Sequence, residues 1–181
     1  MRRLREFIAY FIIKRKAKAA SMKNFGKKSS SGRFLILFSV QDDNDYSEFM
    51  KMMAYINDLN LPADAVVYTN EHLYKKFSTR YFQHTIFTGK GINFLHFPNV
   101  KFTHTLATQV YDKVITTCRE NCIPLDYIAA MAHAEVKFSE KWENTAPFYN
   151  FLLDCIQGKG KLDMLKTAFG YLNKINSVAH A

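Results

Sequence analysis

Hydrophobic and polar residues follow one another in blocks along this chain, and the period of the pattern changes from block to block. The run from Arg33 to Val40 is almost continuously apolar and has the length of a buried strand. From Asp45 to Leu59 the apolar residues recur at helical spacing, and Pro62 follows them. Ala65 to Tyr68 then restarts the strand pattern. The alternation predicts strands and helices in succession.

The stretch Tyr111 to Ser139 predicts a strand, a tight loop, a helix and a second strand. Val114 to Thr117 is β-branched and has no helical period, which fits a strand buried on both faces. Pro124 suits the first turn of a helix, and apolar residues recur at helical spacing up to Ala132. A short strand, Glu135 to Phe138, follows at once. A helix between two strands in so few residues indicates a right-handed βαβ unit.

The remaining segments complete an α/β pattern. They are predicted as a short helix or loop (Glu71 to Arg80), two extended pieces (Thr85 to Phe87 and Ile92 to His96), a helix (Lys101 to Tyr111), a last strand (Phe148 to Ile156) and a closing helix (Leu162 to Ile175). The fold class predicted is α/β, an open three-layer Rossmann-like sandwich with a mainly parallel sheet of about five or six strands. Residues 1–32 form a basic amphipathic helix and linker, and residues 33–181 form a single α/β domain.

The positive charge of the chain belongs to its first residues. The formal net charge is +9, and residues 1–33 hold 11 Lys or Arg against one acid, Glu6. Within them an apolar stripe at helical spacing consists of Leu4, Phe7, Ile8, Phe11 and Ile12. The basic residues that flank the stripe, and that we expect to contact an anionic surface, are Arg2, Arg3, Arg5, Lys14, Arg15, Lys16 and Lys18.

A basic amphipathic helix over residues 1–23 predicts attachment to an anionic surface. An anionic membrane is favoured over nucleic acid, because basic arms that bind nucleic acid usually lack so dense an apolar run. The alternative is that the stripe packs on the domain itself or on a second copy, as a homo-oligomer. The apolar run Phe7 to Ile13 is too short to span a bilayer. An odd cysteine count (Cys118, Cys122, Cys155) indicates a reducing, cytoplasmic location. The basic helix predicts that the protein is peripheral at the inner membrane face.

Candidate ligand-binding residues cluster where predicted strands end, because open α/β sheets bind ligands outside the carboxyl ends of their strands. They are Ser39, Gln41, Asp42, Thr117, Cys118 and Arg119, with Ser139 as an outlying member. Cys118 is a candidate nucleophile because the adjacent Arg119 favours a thiolate, although an inert half-buried thiol fits the same sequence. The chain has no glycine-rich phosphate loop and no spacing of metal ligands, so we expect no cofactor and no metal.

One resemblance to a known family emerges from these segments. The run IPLDYIAAMAHAEVKFS, preceded by DKVITT and followed by FYNFLLDCI and GYLNKIN, resembles a domain-of-unknown-function group of small α/β proteins from Bacteroidetes. The resemblance covers residues 33 to 177. It implies the same α/β fold after a basic N-terminal helix, and it implies no activity. Thr116 to Cys118 departs from the acidic residue and Leu-Ser expected there.

Two classes of function remain open from the sequence. The favoured one is a non-catalytic binding or scaffolding module whose basic arm contacts an anionic surface, because no catalytic signature is present. The alternative is an enzyme that binds a small molecule or nucleotide-sugar through the loops at the carboxyl ends of the strands.

Overall fold

Strands and helices alternate along the described part of the chain. The computed structural model describes residues 2–24, 32–77, 85–99, 106, 109–118, 122–141, 148–153 and 160–179. The helices are α1 (Arg2–Asn24), α2 (Asp43–Asp58), α3 (Glu71–Phe77), α4 (Ile123–Met131) and α5 (Lys161–Ala179). The strands are β1 (Phe34–Val40), β2 (Ala63–Thr69), β3 (Thr85–Phe87), β4 (Val110–Thr116), β5 (His133–Glu140) and β6 (Phe151–Leu153).

These strands form one six-stranded sheet in the order β3-β2-β1-β4-β5-β6. Every pairing between them is parallel. The chain builds outward from β1 to β3 and then returns to the other side of β1 with β4, so the direction of winding reverses between β1 and β4. The predicted α/β Rossmann-like fold with a parallel sheet is therefore confirmed.

The central strand β1 is apolar except at Ser39 because it is covered on both faces. Ile36 and Phe38 belong to a core that also contains residues of α2 and α5. Leu35 and Leu37 point into a second core that contains residues of α4. Alternate side chains of a strand point to opposite faces, so the buried positions on both faces of β1 are apolar, and the polar Ser39 lies near the carboxyl end where burial is only partial.

Helix α1 adds a third core outside α4. Ala9 and Ile13 are completely buried, in contact with a cluster that includes Tyr127 of α4 and Phe97. The predicted division of the chain at residue 32 stays a prediction, and residues 25–31 of the predicted linker lie outside the described residues. Where the structure resumes, the backbone N–H of Gly32 donates to the Asp112 carboxylate at 2.8 Å.

The prediction for residues 92–96 is wrong. The sequence predicts an extended piece there, but the structure has a turn closed by an isolated antiparallel bridge between Ile92 and Pro98. The turn forms because Asn93 satisfies two backbone N–H groups through its side chain, those of Leu95 and Phe97. A local side-chain hydrogen bond of this kind leaves no trace in the hydrophobic period.

Two other boundaries differ from prediction. Val110 and Tyr111 belong to β4, not to a helix, because β4 pairs with β5 from its first residue. Most of the predicted helix 101–111 and the end of the predicted strand 148–156 lie outside the described residues. Helix α2 begins directly after Asp42, earlier than the predicted start at Asp45, because the Asp42 side chain is the N-cap and accepts from the Asp45 backbone N–H at 2.7 Å.

Candidate functional site

The most distinctive surface of the described residues is one face of α1. Leu4 is 64% exposed, Phe7 71%, Ile8 40% and Phe11 54%. Residues three and four apart lie on the same side of a helix, so these side chains form one continuous row, which we call the outer stripe. Soluble surfaces rarely expose contiguous apolar area of this kind, and where they do it marks an interaction site.

A different face of α1 attaches the helix to the domain. Ala9 and Ile13 are buried, and Ile12 packs partly against the same cluster. The Lys16 ammonium donates to the Tyr127 hydroxyl at 2.8 Å and lies 5.1 Å from the centroid of that ring. The helix therefore attaches to the domain through its inner face, and among the described residues the outer stripe does not belong to any of the buried clusters.

The predicted basic residues divide between the outer and inner faces of α1. Arg3, Lys14, Arg15 and Lys18 are exposed. Arg15 and Lys18 continue the line of the outer stripe, because they follow Phe11 at helical spacing. Lys16 is directed to Tyr127, and the Arg5 guanidinium lies 5.9 Å from the centroid of the Phe94 ring. The outer face of α1 is thus apolar in its first half and cationic in its second; the Arg2 side chain lies outside the described part.

A buried polar network ties α1 to the core. The Tyr10 hydroxyl of α1 donates to the Asp126 carboxylate of α4 at 2.6 Å, and the Tyr149 hydroxyl donates to the same carboxylate at 2.8 Å. The Tyr149 and Thr116 hydroxyl oxygens lie 3.1 Å apart, which extends the network to β4. Burial raises the pKa of Asp126 to about 6, although the two tyrosine hydrogen bonds lower it. Burial and the nearby carboxylate raise the pKa of Tyr10 and of Tyr149.

The crevice at the carboxyl end of β1 is occupied by the protein's own side chains. Lys161, at the start of α5, is buried, and its ammonium donates to the Ser39 carbonyl at 2.6 Å and to the Asp45 carboxylate at 2.5 Å. The Gln41 side-chain amide donates to the Ser39 hydroxyl at 3.2 Å. Ser39 and Gln41 therefore contact each other, and Lys161 and Asp45 form an ion pair beside them.

Three other predicted site residues of this edge, Thr117, Ser139 and Asp42, also have partners in the fold. Thr117 is buried, and its hydroxyl donates to the Leu37 carbonyl of β1 at 3.2 Å. Ser139 lies one strand away on β5, where it pairs in register with Thr116. Asp42 caps α2, and Arg119 lies outside the described residues. The role of all these residues in ligand binding stays a prediction.

Cys118 does not have the surroundings of a reactive thiol. Its side chain is buried. The hydrogen bond with Cys122 and burial raise the pKa of the Cys118 thiol well above its ordinary value. The thiolate that a nucleophile needs is therefore disfavoured at neutral pH.

Sequence reasoning missed the residues that hold the site together. Asp126 is the only charged residue in the otherwise apolar helix IPLDYIAAM. An acid in such a helix indicates a buried carboxylate that needs a hydrogen-bond partner, and this was the signal that the sequence offered. Its partners Tyr10 and Tyr149 come from distant parts of the chain, and no local pattern connects them. Phe94 was missed because the turn that exposes it was predicted as extended.

The described residues contain neither a helix suited to span a bilayer nor a cluster of metal ligands. No helix among them combines the length and apolar character that a bilayer span requires. Nor does any group of three or more His, Cys, Asp or Glu side chains in those ranges stand close enough to hold a metal ion.

Comparison with protein families places the chain. The sequence profile described as "Family of unknown function (DUF6913)" matches residues 5–175. The chain belongs to this family. The match includes α1 from residue 5 onward as well as the whole sheet, so the helix is part of the family's common architecture. The family's description names no source organism, and the bacterial group suggested by the sequence stays a prediction.

Comparisons with individual proteins add little. No curated protein matches the chain. Among solved structures, "E. coli heptosyltransferase WaaC with ADP" matches with a TM-score of 0.47 and 15% identity, covering 72% of this chain and 43% of that chain. The chain thus spans less than half of that structure's length. We draw nothing about binding or activity from a similarity of this degree.

Proposed function

We propose that this protein is a non-catalytic binding module that attaches to an anionic lipid surface through the outer face of α1. The observation that carries the proposal is the exposure of the outer stripe on a helix that is firmly anchored by its other face. An amphipathic helix that merely serves a core buries its apolar stripe. This helix buries Ala9 and Ile13 and leaves Phe7 and Phe11 in water.

The charge of the same face selects the occupant. Lys14, Arg15 and Lys18 are exposed on α1, and Arg3 flanks the stripe at its other end. Each basic residue near an anionic bilayer contributes about 1 kcal/mol. Burial of the exposed parts of Phe7 and Phe11 contributes together about 3 kcal/mol, on the basis of ~2.5 kcal/mol for a complete side chain. The two contributions are similar in size, which is typical of interfacial helices that need both acidic lipid and apolar insertion.

The rival occupants differ in what they would use. Nucleic acid would use the cations and leave the aromatic rings of the outer stripe in water. A second copy of the chain would bury the rings and bring the cations of two helices close together, which costs energy. Of these three occupants, only a lipid surface uses both the apolar half and the cationic half of the outer face.

The test is vesicle co-sedimentation of the full chain. Wild type is compared with Phe7→Ser/Phe11→Ser and with Arg15→Gln/Lys18→Gln, and Lys51→Gln on α2 serves as the control for charge. We expect wild type to pellet with vesicles that contain about 30% phosphatidylserine and to release as salt rises. The aromatic double variant should bind about 100-fold more weakly, because about 3 kcal/mol is lost. The Lys51 variant should bind as wild type does.

Equal pelleting of wild type and the aromatic double variant would refute the proposal. Two further measurements identify the rival occupants. Sedimentation velocity that detects a wild-type dimer, absent in the aromatic variant, would assign the stripe to a second copy. Tight binding of duplex DNA or RNA without lipid binding would assign the cations to nucleic acid.

The alternative function is an enzyme that binds a small molecule or nucleotide-sugar at the strand ends. Among the described residues no observation favours it. Lys161 is paired with Asp45, and the Thr117 hydroxyl donates to the Leu37 carbonyl. A thermal-shift panel of nucleotides and nucleotide-sugars tests it directly, because a ligand that binds the folded state raises the melting temperature by an amount that grows with the ratio of its concentration to its Kd.

A further inference from the structure

Phe94 is the most exposed large hydrophobic side chain of the described residues. It is 79% exposed, more than any residue of the outer stripe. An exposed Phe on its own needs no explanation. Its setting does, because hydrogen bonds close the turn that carries it, and Phe97 of the same turn is buried.

Several hydrogen bonds close the turn that carries Phe94. The Asn93 side-chain oxygen accepts from the backbone N–H of Leu95 at 2.9 Å and of Phe97 at 3.0 Å. The Asn93 N–H donates to the Phe97 carbonyl at 2.9 Å, and His96 adopts a positive φ of 63° that reverses the chain. Phe94 therefore projects from a turn whose backbone is held by hydrogen bonds.

The same turn is fastened to α1 and α4 by its other side chains. Phe97 is buried and stacks on Tyr127 of α4, with ring centroids 4.6 Å apart. Phe97 and Leu95 share a core with Ala9 and Ile12 of α1. The turn thus packs against the cluster that joins α1 to α4.

Arg5 fixes where Phe94 lies relative to the outer stripe. The Arg5 guanidinium carbon is 5.9 Å from the centroid of the Phe94 ring. Arg5 follows Leu4 and precedes Ile8 by three residues, so it borders the stripe on the helix surface. Phe94 consequently lies within reach of a side chain that borders the outer stripe, and that side chain places a cation near the Phe94 ring.

We propose that Phe94, presented at the tip of the Asn93–Phe97 turn and contacted by Arg5, is a second insertion point of the lipid-binding surface formed by the outer face of α1. This inference rests on the proposed function and extends it from one helix to two elements. A guanidinium beside an aromatic ring matches a bilayer surface, where the cation meets lipid phosphate and the ring enters the acyl boundary. Insertion at two points also fixes which side of the domain faces the membrane.

The test compares Phe94→Ser, Phe94→Leu and the matched control Tyr171→Ser. Tyr171 is an exposed aromatic residue on α5, which packs on the opposite face of the sheet. With anionic vesicles we expect Phe94→Ser to bind about 20-fold more weakly, because the variant loses the free energy gained when the exposed part of the Phe94 ring is buried in lipid. Phe94→Leu should stay within about threefold of wild type, and Tyr171→Ser should bind as wild type does.

The outcomes separate this inference from the function on which it rests. If Phe94→Ser binds like wild type while Phe7→Ser/Phe11→Ser does not, the second insertion point is refuted and the role of α1 stands. If wild type itself does not bind vesicles, both proposals fail.

A second measurement does not depend on the loss of binding. Phe94→Trp places an indole at the tip, and its emission is compared with that of the wild-type chain, which carries Trp142. We expect vesicles to shift the added emission to shorter wavelength, as the ring leaves water. An unchanged spectrum under conditions where the protein pellets with vesicles would overturn the inference.

Discussion

Replacement of Asp126 by Asn tests the network that anchors α1. The carboxylate is buried on α4 and accepts hydrogen bonds from Tyr10 at 2.6 Å and Tyr149 at 2.8 Å. Asn has nearly the same shape and no charge. Its side-chain oxygen accepts from one tyrosine, and its amide donates to the hydroxyl oxygen of the other.

The size of the effect follows from the pKa of the carboxyl group. Burial raises the pKa of Asp126 from 3.8 to about 6, with the tyrosine hydrogen bonds acting in the opposite direction. The folded protein therefore binds this proton more tightly than the unfolded chain does. The stability that the protonated carboxyl contributes is present below about pH 4 and is lost as pH rises through about 6. At ~1.36 kcal/mol for each tenfold change in proton affinity, the charged form costs about 3 kcal/mol at neutral pH.

The expected result is a pH-dependent difference between the two proteins. Near pH 7 the Asn variant should be more stable than wild type by about 2–3 kcal/mol, and the difference should vanish near about pH 4. Urea unfolding followed by circular dichroism across this range measures the free energy of unfolding of both. Asp58→Asn, at the exposed end of α2, is the control and should show no such difference.

A difference that does not vary with pH would refute the reasoning. So would an Asn variant that is less stable than wild type by several kcal/mol at neutral pH. That result would mean that the charged hydrogen bonds from Tyr10 and Tyr149 outweigh the cost of burying the carboxylate.

Two further predictions concern the inner face of α1 and the thiol at the end of β4. Ile13→Ala should lower the free energy of unfolding by about 2–4 kcal/mol, because it leaves a cavity at a fully buried position, whereas Ile8→Ala on the outer face should cost under about 1 kcal/mol; equal losses in urea unfolding would mean that the two faces are assigned wrongly. Alkylation by iodoacetamide at about pH 8, followed by peptide mapping, should modify Cys118 more slowly than Cys122, since Cys118 is buried and its thiol pKa is raised. Faster modification of Cys118 would restore it as a candidate nucleophile.

Most of the fold was predictable because it depends on local patterns. The apolar run of β1 predicts a strand buried on both faces, and the chain from β4 to β5 predicts a βαβ unit. Alternation of strands and helices predicts a parallel sheet with helices on its faces. The same kind of reasoning fails at Asn93, where one side chain replaces the backbone pairing of a strand. Hydrophobic period carries no information about a side-chain hydrogen bond of that sort.

The sequence predicts the helix that carries the candidate surface, but it does not predict which face of that helix stays exposed. The amino-acid sequence by itself determined that residues 1–23 form a basic amphipathic segment with an apolar stripe, because helical spacing and charge are properties of the chain alone. Only the tertiary structure decided that the stripe stays outside. The small Ala9 allows α1 to approach α4 closely, Ile13 fills the contact, and Tyr10 finds the Asp126 carboxylate. Those partners lie more than a hundred residues away, and the face that binds them is chosen by shape and hydrogen bonding between elements, which no local periodicity encodes.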